Sequence, residues 1–223
     1  MRSIQILKWF LPVLLFNIPL KSIAQSDLNG PQLLEKTISY HDPNRNWNNF
    51  KGKMAIIMTT PKSETRRTDL ELNLPGRYFK SAVRKGNHTV DYIIDKGKCK
   101  LFLNKSTVIA DNYRDSLQIS CERAKMMKDY YTYLYGLAMK LKDPGAIIDQ
   151  KVTRKTFKGK EYLVLKVKYD HAVGKDTWYF YFDPTTFRME VYQFYHDESK
   201  NDGEYILLSE EMVVNGIKMP KVR

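Results

Sequence analysis

The strongest constraint on this chain is a change of hydrophobic period in its middle. On either side, apolar residues recur at every second position between tight turns. From Glu122 to Gly145 the recurrence lengthens to three and four. That stretch reads ERAKMMKDYYTYLYGLAMKLKDPG. Tyr130, Tyr133, Leu134, Leu137, Ala138 and Leu141 share one helical face, and Met127, Tyr131, Tyr135 and Met139 form a second apolar row beside it. The polar remainder is the narrow strip Lys128, Thr132, Gly136 and Lys140. A helix apolar over most of its girth needs cover on two sides. The spacing therefore predicts a helix crossing the mouth of a curved antiparallel sheet, within an insertion spanning 117–145 and stopped by Asp143-Pro144-Gly145. Gly136 costs that helix about 1 kcal/mol relative to Ala and marks a close approach or a kink.

The flanking segments read as hairpins. Asn29-Gly30-Pro31 first starts a short helix with Leu33, Leu34, Thr37 and Ile38 on one face, ended by Asp42-Pro43. Phe50, Met54, Ile56 and Met58 then alternate with polar residues. Leu70, Leu72 and Leu74 alternate with Asp69, Glu71 and Asn73, the cleanest half-buried strand of the chain. Phe79 and Val83 follow, then Val90, Tyr92 and Ile94, then Cys99, Leu101 and Leu103. After the insertion come 146–157, then Leu163, Leu165, Val167 and Tyr169. Trp178, Phe180 and Phe182 alternate with Tyr179 and Tyr181, so both faces of that strand are aromatic. Strands over 187–195, 204–214 and 217–223 complete the series. Turn signals such as Pro75-Gly76, Lys96-Gly97 and Asn215-Gly216 join them. This makes about ten strands paired in chain order. The expected class is mainly β with helices (α+β). A sheet that long curls as its twist accumulates, giving a half-open antiparallel β-barrel with a helical lid and a cavity behind its inward positions.

Residues 1–24 read as a cleaved signal peptide. Arg2 and Lys8 form a basic start, Trp9 to Leu20 is apolar but broken by Pro12 and Pro19, and Ser22-Ile23-Ala24 fits a cleavage site. This predicts a periplasmic or secreted product, with 25–223 as a single domain, and with no Cys after the apolar run to carry a lipoprotein anchor there. Losing Arg2, Lys8 and Lys21 lowers the formal charge from +12 to +9. The excess is spread along the chain, which argues for solubility or weak attraction to anionic lipid and against nucleic-acid binding. Cys99 and Cys121 are the two cysteines. In an exported chain such a pair is most simply a disulfide, closing a loop of about twenty residues worth on the order of 3 kcal/mol. The alternative is two free buried thiols.

No catalytic centre is legible. The four histidines, His41, His88, His171 and His196, lie mostly in or beside turns and read as exposed. A metal site from His196, Asp197, Glu198 and Asp202 competes with a solvated loop. No GxSxG, Walker loop or GxGxxG occurs, and no cofactor or metal is implied. The aromatic helix reads either as packed core or as a lid over a cavity for apolar chains, since Met adapts to varied ligands and Tyr hydroxyls meet water at a rim. The candidate ligand-binding residues are Leu70, Leu72, Val90, Tyr92, Leu101, Leu165, Trp178 and Phe180 on the sheet. On the helix they are Tyr130, Tyr133, Leu134, Leu137 and Leu141.

The run Trp178-Tyr179-Phe180-Tyr181-Phe182-Asp183-Pro184-Thr185-Thr186-Phe187 and the late Gly216-Ile217-Lys218-Met219-Pro220 resemble the periplasmic lipoprotein-carrier (LolA/LolB-like) superfamily. Tyr133 to Gly145 is similar to a segment of uncharacterised exported bacterial proteins with this type of fold. The resemblance covers nearly the whole mature chain. It implies a half-open barrel whose helices cover a cavity for acyl chains, hence a non-enzymatic carrier. Such a carrier is expected to be monomeric, to bind a lipid or other hydrophobic small molecule, and to contact the membrane or envelope proteins transiently. The competing readings are an envelope hydrolase or metal-dependent enzyme, with His and carboxylates converging in a cleft, and a protein-interaction module with a filled core.

Overall fold

Asn29 opens the first helix, α1 (Gly30–His41), by a reciprocal cap. Its side chain accepts from the Gln32 backbone N–H at 2.9 Å, and the Gln32 side chain accepts from the Asn29 N–H at 3.0 Å. Two donors that the helix leaves free are thereby satisfied. The helix buries Leu33, Leu34, Thr37, Ile38 and His41. At its first residue it approaches the second sheet so closely that a Cβ on Gly30 would lie 1.8 Å from the Asp149 carbonyl oxygen. Asp42 ends the helix and shapes the next turn, accepting from the N–H groups of Asn46 at 2.7 Å and Trp47 at 2.8 Å. The computed structural model describes residues 28–223, so the leader predicted at 1–24 lies outside the described residues. Among those described, no helix is long and apolar enough to cross a membrane.

Five strands follow as an up-and-down meander: β1 (Lys51–Thr60), β2 (Ser63–Asn73), β3 (Tyr78–Lys85), β4 (His88–Asp95) and β5 (Lys98–Leu103). Their register lines up the inward side chains in rows across the sheet. One row is Leu72–Phe79–Ile94–Cys99, the next Leu70–Ser81–Tyr92–Leu101, and the next Thr68–Val83–Val90–Leu103. Beyond these, Met58 stands opposite Arg66. The chain then forms α2 (Asp111–Ser116) and α3 (Cys121–Gly136), a 3-10 turn at Met139–Lys142, and a second meander. That meander is β6 (Ala146–Phe157), β7 (Lys160–Tyr169), β8 (Thr177–Phe182), β9 (Met189–Tyr195) and β10 (Glu204–Leu207). A hairpin of β11 (Ser209–Val214) and β12 (Ile217–Val222) ends the chain.

The mainly β, α+β class, the neighbour-to-neighbour pairing and the helical insertion after the fifth strand are all present. The continuous curled sheet is not. Among the described residues, twelve strands form three open sheets, and no closed barrel exists. The helical insertion carries the chain away before β6 begins, so the ladder of β5 is not continued by β6. The segment 204–214, read as one strand, divides at Leu208: its N–H still bonds the Glu190 carbonyl at 2.8 Å, extending the pairing with β9, whereas from Ser209 the chain pairs with β12. One contiguous core nevertheless joins both meanders and the helices, with Phe50, Phe79, Phe180, Phe182 and Leu33 almost wholly buried. The aromatic alternation of β8 is explained by a second, smaller cluster of Tyr162, Val164, Tyr181 and Val191 on the opposite face.

Candidate functional site

α3 begins under tight control. Ser120 caps it, its Oγ accepting from the Arg123 N–H at 3.1 Å. Cys121, its first residue, is bonded to Cys99 of β5, with Cα atoms 5.9 Å apart. Of the two readings of the cysteines, the disulfide is the one present, and it ties the helix start to the edge of the first sheet. The helix buries Ala124, Met127, Tyr131 and Gly136. The face led by Tyr130 is therefore not the buried one: Tyr130 is 56 % exposed, and the row of Met127 and Tyr131 packs inward. The cause lies in the helix end. α3 stops at Gly136, where a Cβ would meet Trp47 Cζ2 at 2.4 Å. Leu137, Met139 and Leu141 are buried by a new backbone path through the 3-10 turn. The spacing from Tyr130 to Leu141 thus spans a break that periodicity reads through.

Beneath the first half of α3 lies a cavity of about 460 Å³. Val83, Val90 and Tyr92 form its floor, and Met126, Met127, Tyr130 and Tyr131 descend from α3. Leu117, with Ser116 and Gln118, closes one side; Met58, Arg66 and His88 stand at the sheet end; Arg123 reaches in from the first turn of α3. No Asp or Glu lines it. Arg66 Nη2 donates to the Met58 thioether sulfur at 2.9 Å, a weak acceptor. Arg66 Nε and His88 Nδ1 are buried without a hydrogen-bond partner. Burial pushes the Tyr92 phenol up, with the Arg123 guanidinium acting against it, so this floor hydroxyl stays neutral. A second, more open groove of about 480 Å³ runs between α1 and the start of β6, with Leu34, Leu141 and Ile148 in its wall.

Of the residues expected to bind ligand, Val90, Tyr92 and Tyr130 come together on the cavity. Leu70, Leu72, Leu165 and Phe180 do not. They are 2 % exposed or less and belong to the one core that both meanders share with the helices. The chamber expected across the whole concave face is solid in its middle, because these inward side chains are packed into that shared core. Leu101 is half-buried against the same core. Tyr133, Leu134, Leu137 and Trp178 gather at the far end of α3. There the Tyr133 and Tyr169 hydroxyls lie 2.6 Å apart and the Tyr133 and Trp178 rings are 6.0 Å apart. Burial, then the neighbouring Tyr169, pushes the Tyr133 phenol up. Leu141 lines only the open groove of the two.

Sequence reasoning missed Met58, Arg66, His88, Arg123 and Met126. A signal was there. Arg66 has the parity of Leu70 and Leu72, and His88 that of Val90 and Tyr92, so both continue an inward face. His41, read as exposed, is 3 % exposed. Its Nδ1 meets the Lys218 carbonyl at 2.9 Å and its Nε2 accepts from the Met189 N–H at 3.0 Å. Among the described residues no three His, Cys, Asp or Glu side chains are grouped to hold a metal ion. Asp197 instead binds Ser199, while Glu198 pairs with Lys166.

Fold and site together define an α+β protein of open antiparallel sheets with a helix-roofed cavity at one end of the first sheet. The chain belongs to the family of unknown function DUF6503, which matches residues 8–223. No curated protein and no solved structure matches it.

Proposed function

We propose that this chain is a non-enzymatic envelope protein, periplasmic or secreted, that holds a lipid, acyl chain or other hydrophobic molecule beneath α3. The observation that carries this reading is the cavity itself. Its volume of about 460 Å³ falls in the range of small-molecule sites. Its walls are supplied largely by Met58, Val83, Val90, Leu117, Met126 and Met127. Binding is the reversible removal of apolar surface from water, about 25 cal/mol per Å², and three methionines let the walls refit to chains of different shape. Met126 and Tyr130, both half exposed or more, form the mouth and turn aside to admit ligand. The two meanders on one core are read here as an opened version of the half-barrel of the lipoprotein-carrier superfamily, acting as a monomer. The test is native mass spectrometry of protein drawn from the periplasm, with uptake of a fluorescent fatty acid by the wild type and by Met127→Trp, which fills the cavity. Bound lipid, and uptake by the wild type that Met127→Trp blocks, supports the reading. No bound lipid and no uptake ends it.

A second reading, a protein-interaction module, draws on the solid packing of Leu70, Leu72, Leu165 and Phe180. It predicts that neither protein takes up the fatty acid.

A further inference from the structure

We infer that the ligand is a single-chain amphiphile with an oxyanion head, a carboxylate or phosphate, held by Arg66 with His88 at the same end of the cavity. This rests on the binding-protein reading above and names the chemistry of its ligand. The inward face of the first sheet grades in polarity along its length. The row at one end is Leu72–Phe79–Ile94–Cys99. The next carries Ser81 and the next Thr68, and beyond them stand Arg66 on β2 and His88 on β4, with Glu64 one alternation further along β2. An apolar chain is matched at the Tyr92 end of the cavity and a polar head at the other.

The arginine at that end lacks the partner that other arginines of the same sheet possess. On the outer face, Arg67 and Arg84 share Asp69 at 2.7 Å and 3.0 Å. Arg66, one residue away but on the inner face, has a thioether for a neighbour and an orphaned Nε. Three buried side-chain polar atoms lack partners among the described residues, and two of them, Arg66 Nε and His88 Nδ1, belong to residues that line this one cavity. Arg123, in the first turn of α3 where a cation opposes the helix dipole, lines the cavity on the Tyr92 side. A desolvated charge without a counter-charge is costly. An oxyanion at the Arg66 guanidinium supplies the counter-charge that the cavity lining lacks, and guanidinium geometry suits both carboxylate and phosphate.

The experiment is calorimetric titration of the delipidated protein with decanoate, decyl phosphate, decan-1-ol and inorganic phosphate. The two charged amphiphiles are expected to bind at least about tenfold more tightly than the alcohol, the scale of charge-assisted hydrogen bonds. Added salt should narrow that gap. Arg66→Gln should cut it, and Arg66→Gln with His88→Gln should bring the anions down to the alcohol, with circular dichroism confirming the fold. Preference for decanoate or decyl phosphate then tells which oxyanion fits. Equal binding of decanoate and decanol by the wild type overturns the inference while leaving a hydrophobic binding protein. Inorganic phosphate binding as tightly as decyl phosphate also overturns it, since the chain would then contribute nothing. Binding of none of the four removes the binding-protein reading and this inference with it.

Discussion

Gly136→Ala tests why α3 stops where it does. An added Cβ would lie 2.4 Å from Trp47 Cζ2 and 2.7 Å from its Cε2, about 1 Å inside the roughly 3.5–4.0 Å of a comfortable carbon contact. The indole has little room to retreat. It is 6 % exposed, its ring centroid is 5.4 Å from that of Phe50, and the backbone N–H of Trp47 is held by Asp42 at 2.8 Å. Overpacking of this kind costs about 1–3 kcal/mol. The gain in helix propensity, at most about 1 kcal/mol mid-helix, shrinks at the final helical residue. A net loss of about 2 kcal/mol is expected, read as a lower urea midpoint with an unchanged slope. Trp47→Phe combined with Gly136→Ala should recover part of that loss, giving a favourable coupling energy in the double-mutant cycle. If Gly136→Ala is as stable as the wild type or more so, the glycine is not there to admit the indole and the reasoning fails.

Two further outcomes follow from groups that hold the roof and α1 in place. Removing the disulfide by Cys99→Ser with Cys121→Ser frees a loop with a sequence separation of 22. This should cost about 3 kcal/mol by loop entropy; a urea-midpoint change equivalent to under about 1 kcal/mol would show that α3 is held by packing alone, since loop closure is then immaterial. Burial holds the His41 imidazole below its ordinary pKa, against the Lys218 carbonyl. The unfolded chain therefore takes up a proton first. The stability from neutral His41 is complete above a pH of about 6.5 and is lost as pH falls below it. Urea midpoints at pH 7.5 and 5.5 should differ by more in the wild type than in His41→Gln; an equal difference would place the pH dependence elsewhere.

Period-two alternation made the first meander readable to the residue. Leu70 and Leu72 face inward with Tyr92 and Leu101 in matching rows, because one face of each strand is buried and a slip would expose it. The Asn29 cap and the Asn215-Gly216 hairpin were legible for the same local reason: their chemistry acts over four residues or fewer. The end of α3 was not legible from the helix itself. It depends on Trp47, 89 positions earlier in the chain, and periodicity carries no trace of so distant a contact. Leu165 and Phe180 were assigned to a cavity because an inward side chain looks the same in sequence whether it meets a ligand or another sheet. Only the tertiary packing of the meanders and helices into one core decides between them.

The same distinction bears on where a ligand would be sought in related chains. An inward apolar residue is ambiguous between core and cavity, whereas an inward cation is not, since burial without a counter-charge is costly enough that packing alone does not favour it. Arg66 and His88 hold the inward parity of their strands, and Arg123 occupies the helix turn least suited to a positive charge. Each departs from a local rule, and all three line one cavity. Local rules fail preferentially where function overrides them. In this fold the departures in charge therefore locate a site more sharply than the greasy positions do. Oxyanion affinity should follow Arg66 and His88, while changes at Leu70, Leu72, Leu165 and Phe180 should register as loss of stability.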